Sequence, residues 1–288
     1  MQYASREAKV WKANKDARSK KALWKAKRRL SKPIDYLVRK TLGASIPLLS
    51  RAGRSIQLKA REGYALTPPE IVPLTARVVD ACVQLFERRK PQLDDIRAKR
   101  DSYFYNVLGE GGFEEHKDLL HAYMTQDSIL IPVMRYLGEF PIFQGVKMMW
   151  TPPNESLVSS QQWHLDGLDS TQVKFFLYLS DIDEGAGPTT ILSREDTRRV
   201  VQEYDYVSGR LSDEQVAAVV PRDRWIPLLG NKGTLATCDT STCLHFGGRG
   251  RDRDRLFLLF HYSTSAPFKV EELSKFAVNN WKERLLAA

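Results

Sequence analysis

Trp163-His164-Leu165-Asp166, answered by His245 far downstream, is the stretch on which the reading of this 288-residue chain turns. A histidine and a carboxylate one residue apart on a strand point to the same face, because side chains alternate with a period of two. A second histidine from a distant strand closes the triangle. Two imidazoles and one carboxylate on one face of a metal leave the opposite positions open, a donor set that suits Fe(II). An H-x-D triplet by itself is common, so its surroundings decide the reading.

Downstream of Asp166, Val173-Lys174-Phe175-Phe176-Leu177-Tyr178-Leu179-Ser180 has the apolar and aromatic content of a buried strand. The turn-rich run Asp181-Ile182-Asp183-Glu184-Gly185-Ala186-Gly187-Pro188 breaks it. Gly233-Thr234-Leu235-Ala236-Thr237-Cys238-Asp239-Thr240 then leads into His245, and Arg255 opens another strong strand through Tyr262. Strands are predicted over 145–150, 160–166, 173–180, 189–192, 225–228, 234–238 and 255–263. Strands closing around an interior site predict a mainly β fold with flanking α, a double-stranded β-helix of jelly-roll, cupin-like type, with N-terminal helices against one sheet.

Helices are predicted over 3–30, after Pro33 to a break at Gly43 and Pro47, from Thr67-Pro68-Pro69-Glu70 to about Arg89, and over 117–136 with a kink at Pro132. The segment 194–222 turns helical again, and Ser212-Asp213-Glu214-Gln215 has the form of a capping box. It reads as an insert, either a lid or a packing element.

At this point the chain resembles the phytanoyl-CoA dioxygenase family of Fe(II)- and 2-oxoglutarate-dependent oxygenases. The matching pieces are the W-H-x-D start at Trp163, the strand ending Leu179-Ser180-Asp181, the acidic turn with Gly187-Pro188, the run to Asp239-Thr240 and the arginine-led strand. Glu62-Gly63-Tyr64-Ala65-Leu66 resembles the family's domain start, so the likeness covers roughly 62–270. The chain departs in lacking a Gly-Ser-His between Pro188 and Glu195 and in a short gap from His245 to Arg255, with Arg251 and Arg253 nearby.

The resemblance implies that His164, Asp166 and His245 bind Fe(II), and that 2-oxoglutarate and dioxygen are co-substrates. The far carboxylate of 2-oxoglutarate then needs a buried cation, and a guanidinium binds it through two parallel hydrogen bonds while staying charged. Arg255 suits that role, sharing one strand face with Phe257, Leu259 and His261. Gln162, on the face of His164, and Lys174 are further candidates for contact with the co-substrate. Asp239 and Thr240 are expected to hold the loop that carries His245. Family members that halogenate replace the carboxylate with a small residue; Asp166 is present, so the resemblance implies hydroxylation.

Composition sets the remaining bounds. With 42% hydrophobic residues, the chain supports one large core with appendages. Cys82, Cys238 and Cys243 are scattered and odd in number, which suggests a reducing compartment and no disulfide framework. No apolar run is long enough to span a membrane and no signal core opens the chain, so a cytoplasmic location is expected, with peripheral membrane contact in view.

Residues 1–61 hold 18 Lys and Arg against Glu7, Asp16 and Asp35, a net of +15, and the remainder nets −6. The division is therefore a basic helical arm, 1–61, and a dioxygenase domain, 62–288, with the insert at about 194–222. With Trp11 and Trp24 among its lysines, the arm reads as a solvated packing or oligomerisation helix, or as an anchor to an anionic membrane surface. Nucleic acid is the least supported partner, because no binding motif accompanies the charge. The substrate class that fits is an anionic or membrane-borne molecule such as a glycolipid or sugar acid. The competing readings are a non-catalytic binding protein that keeps the fold, and a metal-dependent hydrolase or isomerase. The intact triad speaks against the first, and a chain with five histidines speaks against the second.

Overall fold

The computed structural model describes residues 19–50, 55–99, 102–108 and 114–268. In chain order the strands are β1 (Tyr64–Thr67), β2 (Tyr105–Asn106), β3 (Ile142–Thr151), β4 (Gln172–Tyr178), β5 (Thr190–Ile191), β6 (Ile226–Pro227), β7 (Leu235–Cys238), β8 (His245–Phe246) and β9 (Arg255–Ser263). They form a six-stranded antiparallel sheet in the order β1-β7-β4-β9-β3-β2 and a three-stranded sheet in the order β6-β5-β8. From β4 onward the chain passes back and forth between the sheets, the winding of a double-stranded β-helix. Helices α1 (19–31), α2 (Pro33–Leu49), α3 (Thr75–Lys99), α4 (Lys117–Thr125) and α5 (Asp127–Leu137) precede the main strands. Helices α6 (Arg194–Glu203) and α7 (Asp213–Ala217) lie between β5 and β6.

Period-two alternation on β4 and β9 divides the large sheet into a dry face and a working face. Val173, Phe175 and Leu177 on β4, with Leu256, Leu258, Phe260 and Tyr262 on β9, join the core formed with α3, α4 and α5. Phe175 and Phe260 stack with ring centroids 4.7 Å apart. Full burial of each such side chain contributes about 1.5–3 kcal/mol. The sheet is therefore held chiefly from its helix side, and the opposite face is free to carry Lys174, Arg255 and His261. Facing the small sheet, Met149, Phe176, Tyr178 and Phe257 pack with Ile182, Ile191 and Leu228.

Several elements differ from expectation for identifiable reasons. Residues 160–166 do not form a continuous strand: a 3-10 turn, Ser159–Gln161, precedes isolated bridges at Trp163 and His164. The cause is Gln161, fully buried, whose side chain accepts from Val158 N at 3.0 Å and donates to Gly248 O at 2.7 Å. Helix α3 starts after a 3-10 turn and runs past Arg89 to Lys99. The helical stretch 117–136 breaks at Gln126, not at Pro132. Pro132 leaves the carbonyl of Ser128 without its helical donor, and Ile56 N fills the place at 3.3 Å. Of the predicted helix 3–30, residues 19–30 are helical and the rest, including Trp11, lies outside the described residues. The insert buries Val200, Val216 and Val220 beside Trp163 and Phe246, and the Ser212–Gln215 capping box is formed.

Gly43 and Pro47 lie inside α2, where a break is predicted. Gly43 acts as a contact point: a Cβ there would fall 2.3 Å from the backbone Cα and C of Glu139. Helix α2 thus touches backbone at the end of α5, and Phe140 N donates to Arg39 O at 2.8 Å. Gly43→Ala separates the two effects. Helix propensity alone would stabilise the variant by about 1 kcal/mol, whereas overpacking costs about 1–3 kcal/mol. Urea unfolding should show net destabilisation; a gain in stability would refute the close contact.

Candidate metal centre

The two histidines are brought together by backbone pairing. His164 N donates to His245 O at 3.0 Å and His245 N donates to His164 O at 3.1 Å, an isolated antiparallel bridge that ties β8 to the turn before Asp166. Directly opposed residues on an antiparallel pair put their side chains on the same face, and the imidazole centroids lie 4.2 Å apart. Each ring is oriented from behind: His164 Nδ1 donates to Gln162 O at 2.9 Å and His245 Nδ1 to Cys243 O at 3.1 Å. A carbonyl only accepts, so Nδ1 carries the proton and both Nε2 lone pairs face inward. Nε2 of His164 is 3.9 Å, and Nε2 of His245 3.7 Å, from the Asp166 carboxylate. The three donor atoms lie within 4.8 Å of one another, and this is the grouping of metal-binding type among the described residues.

Electrostatics keeps the donors unprotonated. Burial lowers the pKa of His164 and, with His164 as neighbour, brings His245 down to about 3. Burial pushes the Asp166 carboxyl up, but Lys174 and the two imidazoles outweigh it and hold it well below the usual range. Lys174 Nζ is 2.7 Å from Asp166 Oδ2. Asp166 N donates to Thr240 O at 2.9 Å, and Thr240 Oγ1 accepts from Gln172 Nε2 at 2.8 Å. Asp239 Oδ2 receives Tyr136 OH at 2.8 Å and Arg194 NH2 at 2.9 Å, while its carbonyl caps the turn at Cys243 N. The Asp239–His245 turn is thus pinned at its start, and Thr240 ties it to Asp166.

A cavity of about 170 Å3 joins the triad to Arg255. Arg255 is 4% exposed; NH1 donates to Gly187 O at 3.0 Å and NH2 to Thr189 Oγ1 at 2.9 Å, with the guanidinium over the Phe257 ring. Its Nε is buried without a partner, and no carboxylate among the described residues lies within 4 Å of it. Burial draws its pKa down to about 10, so it stays charged at neutral pH. Gly247 permits this packing, because a Cβ there would stand 2.8 Å from Arg255 NH1. By contrast Arg251 and Arg253 are exposed, and Arg253 pairs with Asp183. Met149, Phe176 and Phe257 give the cavity dry walls.

Of the remaining candidates, Lys174 lines this cavity, whereas Gln162 is not among its lining residues and meets the centre through its backbone carbonyl. His261, its pKa lowered to about 3 by burial, lines a second cavity of about 420 Å3 on the other side of Lys174. Cys82, Cys238 and Cys243 are buried free thiols and do not belong to the metal-type grouping. Sequence reasoning missed Tyr136, Arg194, Thr189 and Tyr103, the last of which lines the same cavity and shares a hydrogen bond with Ser160 Oγ. Nothing local in the sequence links them to the centre; each reaches it through a long-range contact.

No protein-family model matches the chain, and comparison with curated proteins finds no match. Solved structures do match its fold. AviO1 from Streptomyces viridochromogenes Tue57 superposes with a TM-score of 0.50 at 14% identity, over 76% of this chain and 98% of that one. The epimerase SnoN, solved with Fe3+, alpha ketoglutarate and nogalamycin RO, gives 0.45 at 14% identity over 75% of this chain and 86% of that one. HygX from Streptomyces hygroscopicus, solved with nickel and 2-oxoglutarate, gives 0.43 at 15% identity over 70% and 83%. At 14% identity the likeness to AviO1 is one of fold alone.

Proposed function

We propose that this protein is an Fe(II)- and 2-oxoglutarate-dependent oxygenase that hydroxylates an unactivated carbon of an anionic substrate. The observation that carries the reading is a single cavity with a His164-Asp166-His245 face at one part of its wall and an unpaired, buried guanidinium, Arg255, at another. The donor set fits iron: two neutral imidazoles and one carboxylate, aimed inward and leaving one side open. Iron with 2-oxoglutarate and dioxygen supplies the oxidant that converts C–H to C–OH, with succinate and carbon dioxide as co-products. Arg255, with Thr189 beside it, receives the distal carboxylate of the co-substrate; Lys174 holds one oxygen of Asp166; Phe176, Phe257 and Met149 exclude water.

The membrane-borne character of the substrate is also part of the proposal. It is supported by an exposed apolar face on the basic arm, where Leu30 is 77% and Ile34 76% exposed beside Leu23, Leu37 and Val38. Leucines in water, flanked by lysines and arginines, fit an anionic lipid surface. No helix among the described residues is long and apolar enough to cross a membrane, so the contact proposed is peripheral. The alternative, a binding protein without turnover, differs in forming no succinate from 2-oxoglutarate.

Anaerobic calorimetry should find one Fe(II) or Mn(II) site, lost in His245→Ala with the fold intact by circular dichroism; unchanged affinity would remove the metal assignment. The pH response has a definite sign. The folded histidines hold fewer protons than ordinary ones, so affinity should persist below the usual histidine value of about 6.5 and fall only on further acidification. A midpoint at the ordinary value would contradict the buried, neutral pair. Arg255→Leu should raise the 2-oxoglutarate constant by the equivalent of about 2–5 kcal/mol, read as succinate formed against co-substrate concentration. A normal constant in this variant, with a loss in Arg251→Leu or Arg253→Leu, would move the role. Anionic vesicles should retain the full chain at low salt and release it as salt rises, since each basic residue near the leaflet is worth about 1 kcal/mol and is screened within about 8 Å. Equal binding to zwitterionic vesicles would defeat the surface reading.

A further inference from the structure

A third cavity, of about 520 Å3, lies under α1 and reaches Asp166 from the side of the basic arm. Asp166 is on its wall, as it is on the walls of the two cavities described above. One face of α1, with Lys21, Lys25 and Arg29 at four-residue spacing, forms the opposite wall. Lys25 is committed to the scaffold: its Nζ is 2.9 Å from Asp169 Oδ1 and 2.6 Å from Ser170 Oγ. Asp169 also accepts from Thr264 N at 2.9 Å, so this one carboxylate fastens the helix to the loop after Asp166 and to the end of β9. Arg29 is not committed. Its guanidinium rests over the Tyr36 ring at 4.9 Å, its Nε is buried without a partner, and it makes no ion pair among the described residues. Across the cavity Ser241 Oγ, on the loop leading to His245, is likewise buried and unpartnered. Leu165, Val207 and Phe268 make the rest of the wall largely apolar.

We infer that this cavity is the substrate site, and that it takes an organic anion with an apolar body, its charged group on Arg29 and its body lying toward Asp166. The inference rests on the metal-centre reading above and names the substrate class for it. The cavity joins a guanidinium that has no counter-ion among the described residues to Asp166, one of the three donors of the metal-type grouping, through an apolar trough, so charge at one end and a C–H bond beside Asp166 are both accommodated. A carboxylate, sulfonate or phosphate satisfies a guanidinium through paired, charge-assisted hydrogen bonds. An apolar body in the trough displaces water beside the metal centre. The helix therefore has two working faces. Lys20, Leu23, Lys27 and Leu30 point outward and are exposed, while Lys21, Lys25 and Arg29 point inward.

The test uses the full chain loaded with Mn(II), and two probes of similar shape: anilinonaphthalene sulfonate, an apolar anion, and phenylnaphthylamine, its uncharged parent. Fluorescence titration should show the sulfonate bound more weakly by roughly tenfold in Arg29→Gln, the usual effect of losing a charge-assisted contact. Arg29→Lys should recover part of that loss, and the neutral probe should be indifferent to both changes. Ala26→Phe, which fills the trough from α1, should weaken both probes. Mn(II) at the triad should speed proton relaxation of the bound sulfonate, and His245→Ala should abolish that effect without releasing the probe. Equal sulfonate affinity in wild type and Arg29→Gln, or a bound probe untouched by Mn(II) that is held at the triad, would overturn the inference. Mn(II) affinity that His245→Ala leaves unchanged would strike the metal-centre reading instead, and the Arg29 comparison would still decide whether the cavity reads charge.

Discussion

Everything at the centre depends on one pair of backbone hydrogen bonds. The His164–His245 bridge joins two segments eighty-one residues apart and sets their rings side by side before any metal is considered. Pairing across an antiparallel bridge is insensitive to side-chain rotamers, so the ligand geometry is built into the main chain and only finished by the side chains. Trp163, one residue before the bridge, pairs with Leu211 of the insert and packs edge-on against Trp225 and Phe246. The same register that aligns the histidines therefore also anchors the 194–222 segment, and a slip of one residue in either segment would turn that segment's histidine away from the centre.

The protein buries several carboxylates around the centre and compensates its buried charge unevenly. Asp166 has Lys174; Asp239 has Arg194 and a tyrosine hydroxyl; Asp169 has Lys25. Each of these carboxylates also takes part in positioning: Asp166 at the triad, Asp239 at the turn before His245, Asp169 at the foot of α1. Polar groups inside a protein are tolerated where they are satisfied, and here the satisfied ones form the scaffold. Arg255 and Arg29, for which the structure supplies no acid among the described residues, line two different cavities that both reach Asp166.

The strands carrying strong alternation were legible in the sequence. β9 was predicted over its observed span and β4 within two residues, because their apolar faces announce burial directly. The triad residues are legible as a metal-type set from their types and spacing read together with the flanking strands and turns. What could not be read locally was everything decided by a distant partner. Gln161, a polar residue, is fully buried and forces a turn where alternation suggested a strand. Gly43 and Pro47 continue a helix because Glu139 lies against it. Pro132 stays helical because Ile56 supplies the missing donor. Tyr136 and Arg194 reach Asp239 across 103 and 45 residues of sequence, a relation no window could contain. The inward face of α1 is of the same kind: its charges were visible as a count, but the division into an outward and an inward set depends on Asp169.

The unpaired state of Arg255 has a thermodynamic consequence for how the molecule is completed. A guanidinium that is 4% exposed, with a carbonyl and a hydroxyl but no anion among the described residues, makes the ligand-free fold less stable than its packing alone would allow. A dicarboxylate that arrives there relieves that deficit only in the folded state, so it acts as the last piece of the core. By mass action, a ligand present at a hundred times its dissociation constant adds about 2.7 kcal/mol to folding. On the proposed reading, the concentration of the co-substrate would then be a determinant of how long the protein survives unfolding and proteolysis.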